Sequence, residues 1–488
     1  MSAISSYARA LAVDGGRAYP IATRRHLHLS DHPLVFVPLT MAGEANAPLA
    51  AMIGTDRDNP AMLFVPQPRN RTLRFTFADQ LADIILRYIE DRPRQGVETY
   101  GKEARTRYLD APQMLVPNPA GAAFVGLFGR STRFRRTTGE YAVSPQVPLL
   151  GRWLTWFGER FEHPGSSALV AMTSALGRHW ATGQSAMEDA NLAALLAWID
   201  PPAGVAATDA AREAEDPTIW PPAGPSTDPT FDNEILAPAI RLYDEGKHER
   251  ALAVLERDLR SQLEPTWRLM WQAIDLLRTL PPGDTVPVRW TNDRTEFTSH
   301  HIYVSGGGFP QARRDGAVAA ARRLQRLERE QNEYDATCAL DDPLVMASFR
   351  VTGEAFVGTV VEVEPDRKIL SDKGRRVLRP RVVVRTGDPV RLLAATKLRS
   401  PSRPKQDVTI LSVNGDGVEL QIENGMGRAG TAAPGTVPTL GEELTYTSVF
   451  PESMRSPELP PPEDTPWTHG GPPKPYTPTD DDAREVWE

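Results

Sequence analysis

"QDVTILSVNGDGVELQIENG", residues 406–425, is the stretch on which the reading of the fold turns. Val408 and Ile410 on one side, and Val418, Leu420 and Ile422 on the other, alternate with polar residues. Between them stands Asn414-Gly415-Asp416-Gly417. Two alternating segments joined by Asn, Gly and Asp form a β-hairpin, because these residues tolerate the backbone angles that a tight turn demands.

Working outward, "ASFRVTGEAFVGTVVEVEPDRK" (347–368), "RVLRPRVVVRTGD" (376–388) and "EELTYTSVF" (442–450) carry the same strand pattern. Four to six short antiparallel strands within about 100 residues predict a small antiparallel β-barrel, OB-like or SH3-like, over residues 346–450. Before it, "QARRDGAVAAARRLQRLEREQNEYDATCAL" (311–340) reads as one long helix, with Ala317, Ala320, Ala321, Leu324 and Leu327 on a common face. Its arginines lead and its acids follow, which opposes the helix dipole and points to a partner for the arginines outside the helix. A long helix beside a barrel resembles the stalk-plus-barrel insert in the first motor domain of some superfamily 1 helicases. The resemblance is architectural, spans about 311–450, and transfers no residue roles.

The remainder divides by composition. Residues 1–200 read as a mixed α/β domain, with short apolar strands at 33–40, 47–55 and 61–68 and a helix over 77–92. A hairpin around Gly129 is expected within 122–143, followed by helices whose Trp153, Trp156, Trp180 and Trp198 share one core. Residues 201–230, rich in Pro, Ala and Asp without apolar periodicity, read as a linker. Residues 231–345 read as helical, with an irregular or hairpin segment at 285–310. Residues 451–488 hold 3 Lys+Arg against 9 Asp+Glu and many prolines, the composition of a disordered acidic docking tail. The expected fold class is multidomain α+β.

Composition excludes several chemistries. Cys338 is the only cysteine, so neither a disulfide within the chain nor a thiolate metal cluster can form. No apolar run approaches the roughly 18 residues of a membrane span, and the first residues lack the pattern of a secretory signal, so a cytoplasmic location is expected. No P-loop, H-E-x-x-H, G-x-S-x-G or nuclease pattern occurs, which favours a non-catalytic protein.

Three places remain as candidate sites. In "RRHLHLSDHP" (24–33), His26 and His28 alternate with Leu27 and Leu29, as on a strand that turns its leucines inward. The same spacing lets His26, His28, Asp31 and His32 surround a divalent metal, or join Arg24 and Arg25 on a phosphate. In "FGRSTRFRRTTGEY" (128–141), Arg130, Arg133, Arg135 and Arg136 interleave with Phe134 and its aromatic neighbours. Guanidinium forks hold phosphates and aromatic faces stack bases, which together suit single-stranded nucleic acid. The third is the basic zone of the barrel, with Arg375, Arg376, Arg379, Arg381, Arg385, Lys397 and Arg399. Residues 311–410 hold 20 Lys+Arg against 14 Asp+Glu, although the whole chain carries −8. The expectation is an accessory or adaptor protein without a resident cofactor, contacting nucleic acid or a separately encoded helicase or nuclease. Two alternatives stand beside it, a metal-dependent enzyme built on the N-terminal histidines and a protein–protein scaffold.

Overall fold

A strand whose two faces are both buried needs a layer of helices on each side. Leu34–Thr40 (β1) is such a strand: Leu34 and Phe36 enter one apolar cluster, Val35, Val37 and Leu39 the other. The computed structural model describes residues 3–451, apart from 46, 101–102, 223, 314, 372–373 and 428–429, together with Pro461; for 95–106 it describes the backbone alone. After an N-terminal helix, Ala3–Gly15 (α1), come β1, Pro48–Gly54 (β2), Ala61–Phe64 (β3) and the helix Arg71–Glu90 (α2). A hairpin, Arg94–Tyr100 (β4) with Glu103–Tyr108 (β5), precedes Met114–Val116 (β6). The helices Pro119–Thr132 (α3) and Gln146–Phe161 (α4) lead to Leu169–Ala171 (β7). The central sheet runs β3-β2-β1-β6-β7, antiparallel through β3, β2 and β1 and parallel through β1, β6 and β7.

Helices α2, α3 and α4 cover one face of the sheet. The short helix Met172–Gly177 (α5), Leu192–Ile199 (α6), Ala207–Ala214 (α7) and the 32-residue helix His248–Thr279 (α9) cover the other, with Ala237–Asp244 (α8) alongside. Residues 201–230, expected as a linker, therefore carry α7, whose Ala207, Ala211 and Ala214 are buried in that second layer. They also pair Ser226 with Thr40. Alanines at i, i+4 and i+7 give a helix so small an apolar stripe that composition concealed it. The tryptophans separate as well: Trp153 and Trp156 lie in one layer, Trp198 and the half-buried Trp180 in the other, with the sheet between them.

The expected hairpin at 122–143 is instead helix α3. Asn118 caps it by accepting the N–H of Gly121 at 3.0 Å, and Pro119 follows in the first turn. Gly129 serves a close helix contact rather than a turn, since a Cβ there would lie 2.6 Å from the backbone nitrogen of Thr155 on α4. Residues 286–305 likewise form a helix (α10), not an irregular segment, and place Phe297 in the first layer.

Helix Ala317–Asp341 (α11) differs from expectation in its packing. Its buried residues, Tyr334 and Ala336 to Ala339, lie in the last two turns, while Ala317, Ala320, Ala321 and Leu324 are exposed and Leu327 is half-buried. The helix Pro343–Thr352 (α12) then enters the barrel, fastened by Arg350 Nε to Asp388 at 2.7 Å, while Asp388 also accepts the N–H of Val357 at 2.8 Å.

The barrel strands are Ala355–Glu364 (β8), Arg381–Thr386 (β11), Lys397–Ser400 (β12), Arg403–Asn414 (β13), Gly417–Ile422 (β14) and Glu443–Thr447 (β15). A side hairpin of Lys368–Leu370 (β9) and Arg376–Leu378 (β10) projects between the first two. They close in the order β8-β11-β14-β13-β12-β15, with all pairs antiparallel. The opening stretch supplies β13 and β14, paired from Val408–Ile422 to Asn414–Gly417, and Gly415 takes φ +59° at the first turn position. Phe356, Val382, Val384, Val408, Ile410, Leu420 and Tyr446 fill the interior. The chain is thus a mixed α+β protein with a closed six-stranded barrel towards its C-terminus. Among the described residues no helix is long and apolar enough to cross a membrane. The expected tail, 451–488, falls outside the described residues except for Pro451 and Pro461.

Candidate nucleic-acid interface

The histidine stretch is not an edge strand. Residues 24–32 run as an extended strap through the interior, each step held by a different element. Arg25 pairs with Pro282 in a parallel bridge, His28 N–H reaches Ser167 Oγ at 3.0 Å, and Ser30 N–H reaches Gln113 Oε1 at 2.9 Å. Leu27 and Leu29 point inward as expected, but so does His26, which is 4% exposed. His28 stacks on Trp290 with ring centroids 4.0 Å apart, whereas Asp31 and His32 face solvent. With its ends committed to different surroundings the quartet does not converge. Among the described residues no group of three or more His, Cys, Asp or Glu is placed to hold a metal ion.

What the strap does build is a buried polar junction. His179 donates from Nδ1 to the carbonyl of Ala175 at 2.7 Å and accepts the His26 N–H at Nε2, 3.2 Å away. Burial pushes its pKa down to about 4. Asp342, fully buried at the start of α12, accepts the backbone N–H groups of Thr23, Arg24 and Leu344 at 2.6, 2.9 and 2.9 Å. Burial alone would raise its pKa, but these donors outweigh it and hold the carboxyl below the usual range. The junction is buried, and His179 and Asp342 are satisfied within it by backbone groups of the strap, α5 and α12.

The stretch 128–141 divides. Arg133 is 2% exposed and its guanidinium binds the carbonyls of Gln311 and Ala312, both at 2.8 Å, so it clamps the segment before α11 to α3. Phe134 is half-buried, with Arg133 and Arg313 lying 5.0 and 5.5 Å from its ring centre. Arg130 and Arg136 are exposed. Arg135 turns the other way and lies 5.3 Å from the ring of Phe75 on α2. Arg71, one turn earlier on α2, lies 4.6 Å from the same ring and 5.5 Å from the ring of Tyr141. Arg135, Phe75, Arg71 and Tyr141 thus form a ladder of alternating guanidinium and aromatic groups, and Tyr141 is 59% exposed.

Arg71, Arg74 and Phe75 were not singled out by the sequence reading, though a signal existed. Two arginines and no acid occupy the first turn of α2, where the helix dipole disfavours cations.

The basic zone of the barrel is largely neutralised. Over residues 346–450 there are 15 Lys+Arg against 12 Asp+Glu, and the two sets meet. Arg381 contacts Glu362 and Glu364 at 3.1 and 3.0 Å and also Glu419. Arg379 pairs with Glu423 at 2.8 Å, Arg385 with Asp416 at 3.2 Å, and Arg399 with Asp407 at 2.8 Å. Arg375, Arg376 and Lys397 are exposed and form no ion pair with a described carboxylate. Cross-strand acids could not be assigned as partners without the register of β8, β11 and β14. No protein family, curated protein or solved structure matches this chain.

Proposed function

We propose that the protein is a non-catalytic accessory factor that holds single-stranded nucleic acid for a separately encoded helicase or nuclease. The observation that carries this reading is the ladder Arg135–Phe75–Arg71–Tyr141. Aromatic rings stack on any base and guanidinium planes both stack and bind phosphate, so alternating the two suits a strand without regard to sequence. Exposed Arg375, Arg376 and Lys397 on the barrel supply a second, weaker contact, and the barrel, with its six strands and filled core, is read as a small OB- or SH3-like module. Arg381, held by three carboxylates, takes no part. The half-exposed α11 beside the barrel supports a docking surface for the partner enzyme.

The test is anisotropy of a labelled single-stranded oligonucleotide against salt. The two ladder arginines on phosphate give a log–log slope of about −1.4, at roughly −0.7 per phosphate. Arg71→Glu with Arg135→Glu should weaken binding at least about tenfold, while Arg381→Glu should leave it within about threefold. Absence of salt-dependent binding overturns the reading in favour of a protein–protein scaffold.

A further inference from the structure

Helix α11 makes its contacts along one stripe. Arg323, Glu330 and Tyr334 meet Glu162, His163 and Arg178, and Leu327 is half-buried between them in sequence. These positions recur at i, i+4, i+7 and i+11, so they share a side of the helix. A second stripe, Ala317, Ala321 and Leu324 at i, i+4 and i+7, is exposed, Leu324 to 59%. A surface helix ordinarily turns polar side chains to water, yet these three are apolar, and no residue of α11 before Tyr334 is buried. Arg322 and Arg326, one turn apart, are exposed as well, and neither has an ion pair among the described residues. Gly316 gives the helix no side-chain cap and its first turn holds no acid, which leaves the positive end of its dipole unanswered.

We infer that residues 480–488 of the chain itself dock on this face of α11. The segment reads "DDDAREVWE". Asp480, Asp481 and Asp482 supply the carboxylates that Arg322, Arg326 and the helix start lack. Ala483, Val486 and Trp487 stand at i, i+3 and i+4, the spacing of a single apolar face. Alanines at 317 and 321 let a bulky indole approach the helix closely, and Leu324 adds apolar surface. Reach is no obstacle. Ser448 N–H meets the carbonyl of Glu354 at 3.0 Å, just past the end of α12, so the chain leaves the barrel beside the helix that follows α11. Residues 452–479 extend to roughly 90 Å, whereas α11 is about 37 Å long. A tethered segment meets its seat at an effective concentration of about millimolar, so even a weak contact keeps the face covered. The covered face is the one offered above to the partner enzyme. That tail and enzyme compete for it rests on the proposed function; the cover itself does not.

Hydrogen exchange of the full chain, followed over residues 317–330, tests the inference. One tail variant is Trp487→Ala, and a second combines Asp480→Lys, Asp481→Lys and Asp482→Lys. The stretch should exchange at least about fivefold more slowly in the natural protein than in either. Arg322→Glu with Arg326→Glu should lose the protection too, and adding the three lysines to that pair should restore it. Both tail variants leave residues 1–450 unaltered, so they decide the question even where the arginine pair fails to fold. Equal exchange in the natural protein and the tail variants overturns the inference. So does protection that vanishes on dilution, which would seat a second copy on the face. A charge-swapped protein that is folded by circular dichroism yet stays unprotected overturns it as well.

Discussion

Nε2 of His26 stops 3.5 Å from Oδ2 of Asp342, and neither ring nitrogen of His26 has a hydrogen-bond partner. The imidazole is packed as a neutral plate against His179, 5.8 Å between ring centres. Burial is the largest influence on it and lowers its pKa; Asp342 and Asp341 pull the other way, while Arg289 and Arg178 reinforce burial.

Acid should therefore loosen the protein before its carboxylates titrate. For His179 the folded value, about 4, lies below the unfolded value of 6.5, so between them the unfolded chain binds more protons than the folded one. Stability is whole above about pH 6.5 and is lost as pH falls toward 4, by on the order of 3 kcal/mol for this one group. Urea unfolding at pH 7 and pH 4.5 measures it. The difference should shrink in His179→Gln, and equal midpoints for the natural protein would contradict it.

Asp293 on α10 is fully buried and accepts Arg160 Nη2 at 2.8 Å, Ser166 Oγ at 2.7 Å and the Ser167 N–H at 2.7 Å. Asp293→Ala leaves a mostly buried guanidinium unanswered and should cost about 3–5 kcal/mol. Denaturant unfolding checks this; a loss under about 1 kcal/mol would mean that water replaces the carboxylate.

Gly129→Ala sets two effects against each other. Alanine favours a helix by up to about 1 kcal/mol over glycine. The new Cβ would meet backbone atoms of Leu154 and Thr155 at 2.9 and 2.6 Å, and overpacking of this kind costs about 1–3 kcal/mol. The clash should win, and the melting temperature should fall. A rise would show that α3 and α4 slide apart freely.

Within the barrel, Tyr446 is fully buried against Phe356, and its hydroxyl has no partner. Tyr446→Phe removes an unsatisfied polar atom and keeps the volume, so stability should stay equal or rise by up to about 1 kcal/mol. Tyr446→Ala opens a cavity and should cost about 3–5 kcal/mol. A destabilised phenylalanine variant would reveal a hydrogen bond to water.

The barrel was legible because its signals are local: Val382, Val384, Val418, Leu420 and Ile422 alternate with polar neighbours, and Gly415 marks the turn between two of its strands. The apolar strands β1 and β2 were legible for the same reason. Gly129 misled, because a glycine that lets two helices touch is indistinguishable in sequence from one that turns a chain. The alanine stripe of α7 carried too little hydrophobicity to register. At the candidate site, Arg135 was visible within a dense basic run, but Arg71, Arg74 and Phe75 lie some 60 residues away and join it only through the packing of α2 on α3. Pairing of Arg381 with Glu419 likewise depends on strand register.

Helix α9, residues 248–279, lies on the sheet formed by residues 34–171. During synthesis, the face bearing Val35, Leu49 and Met52 therefore waits for a helix that leaves the ribosome long after the strands themselves. A chain halted near residue 200 would leave exposed whatever part of that face α5 and α6 do not cover. The long gap between strand and covering helix makes the first 200 residues a poor unit to produce alone.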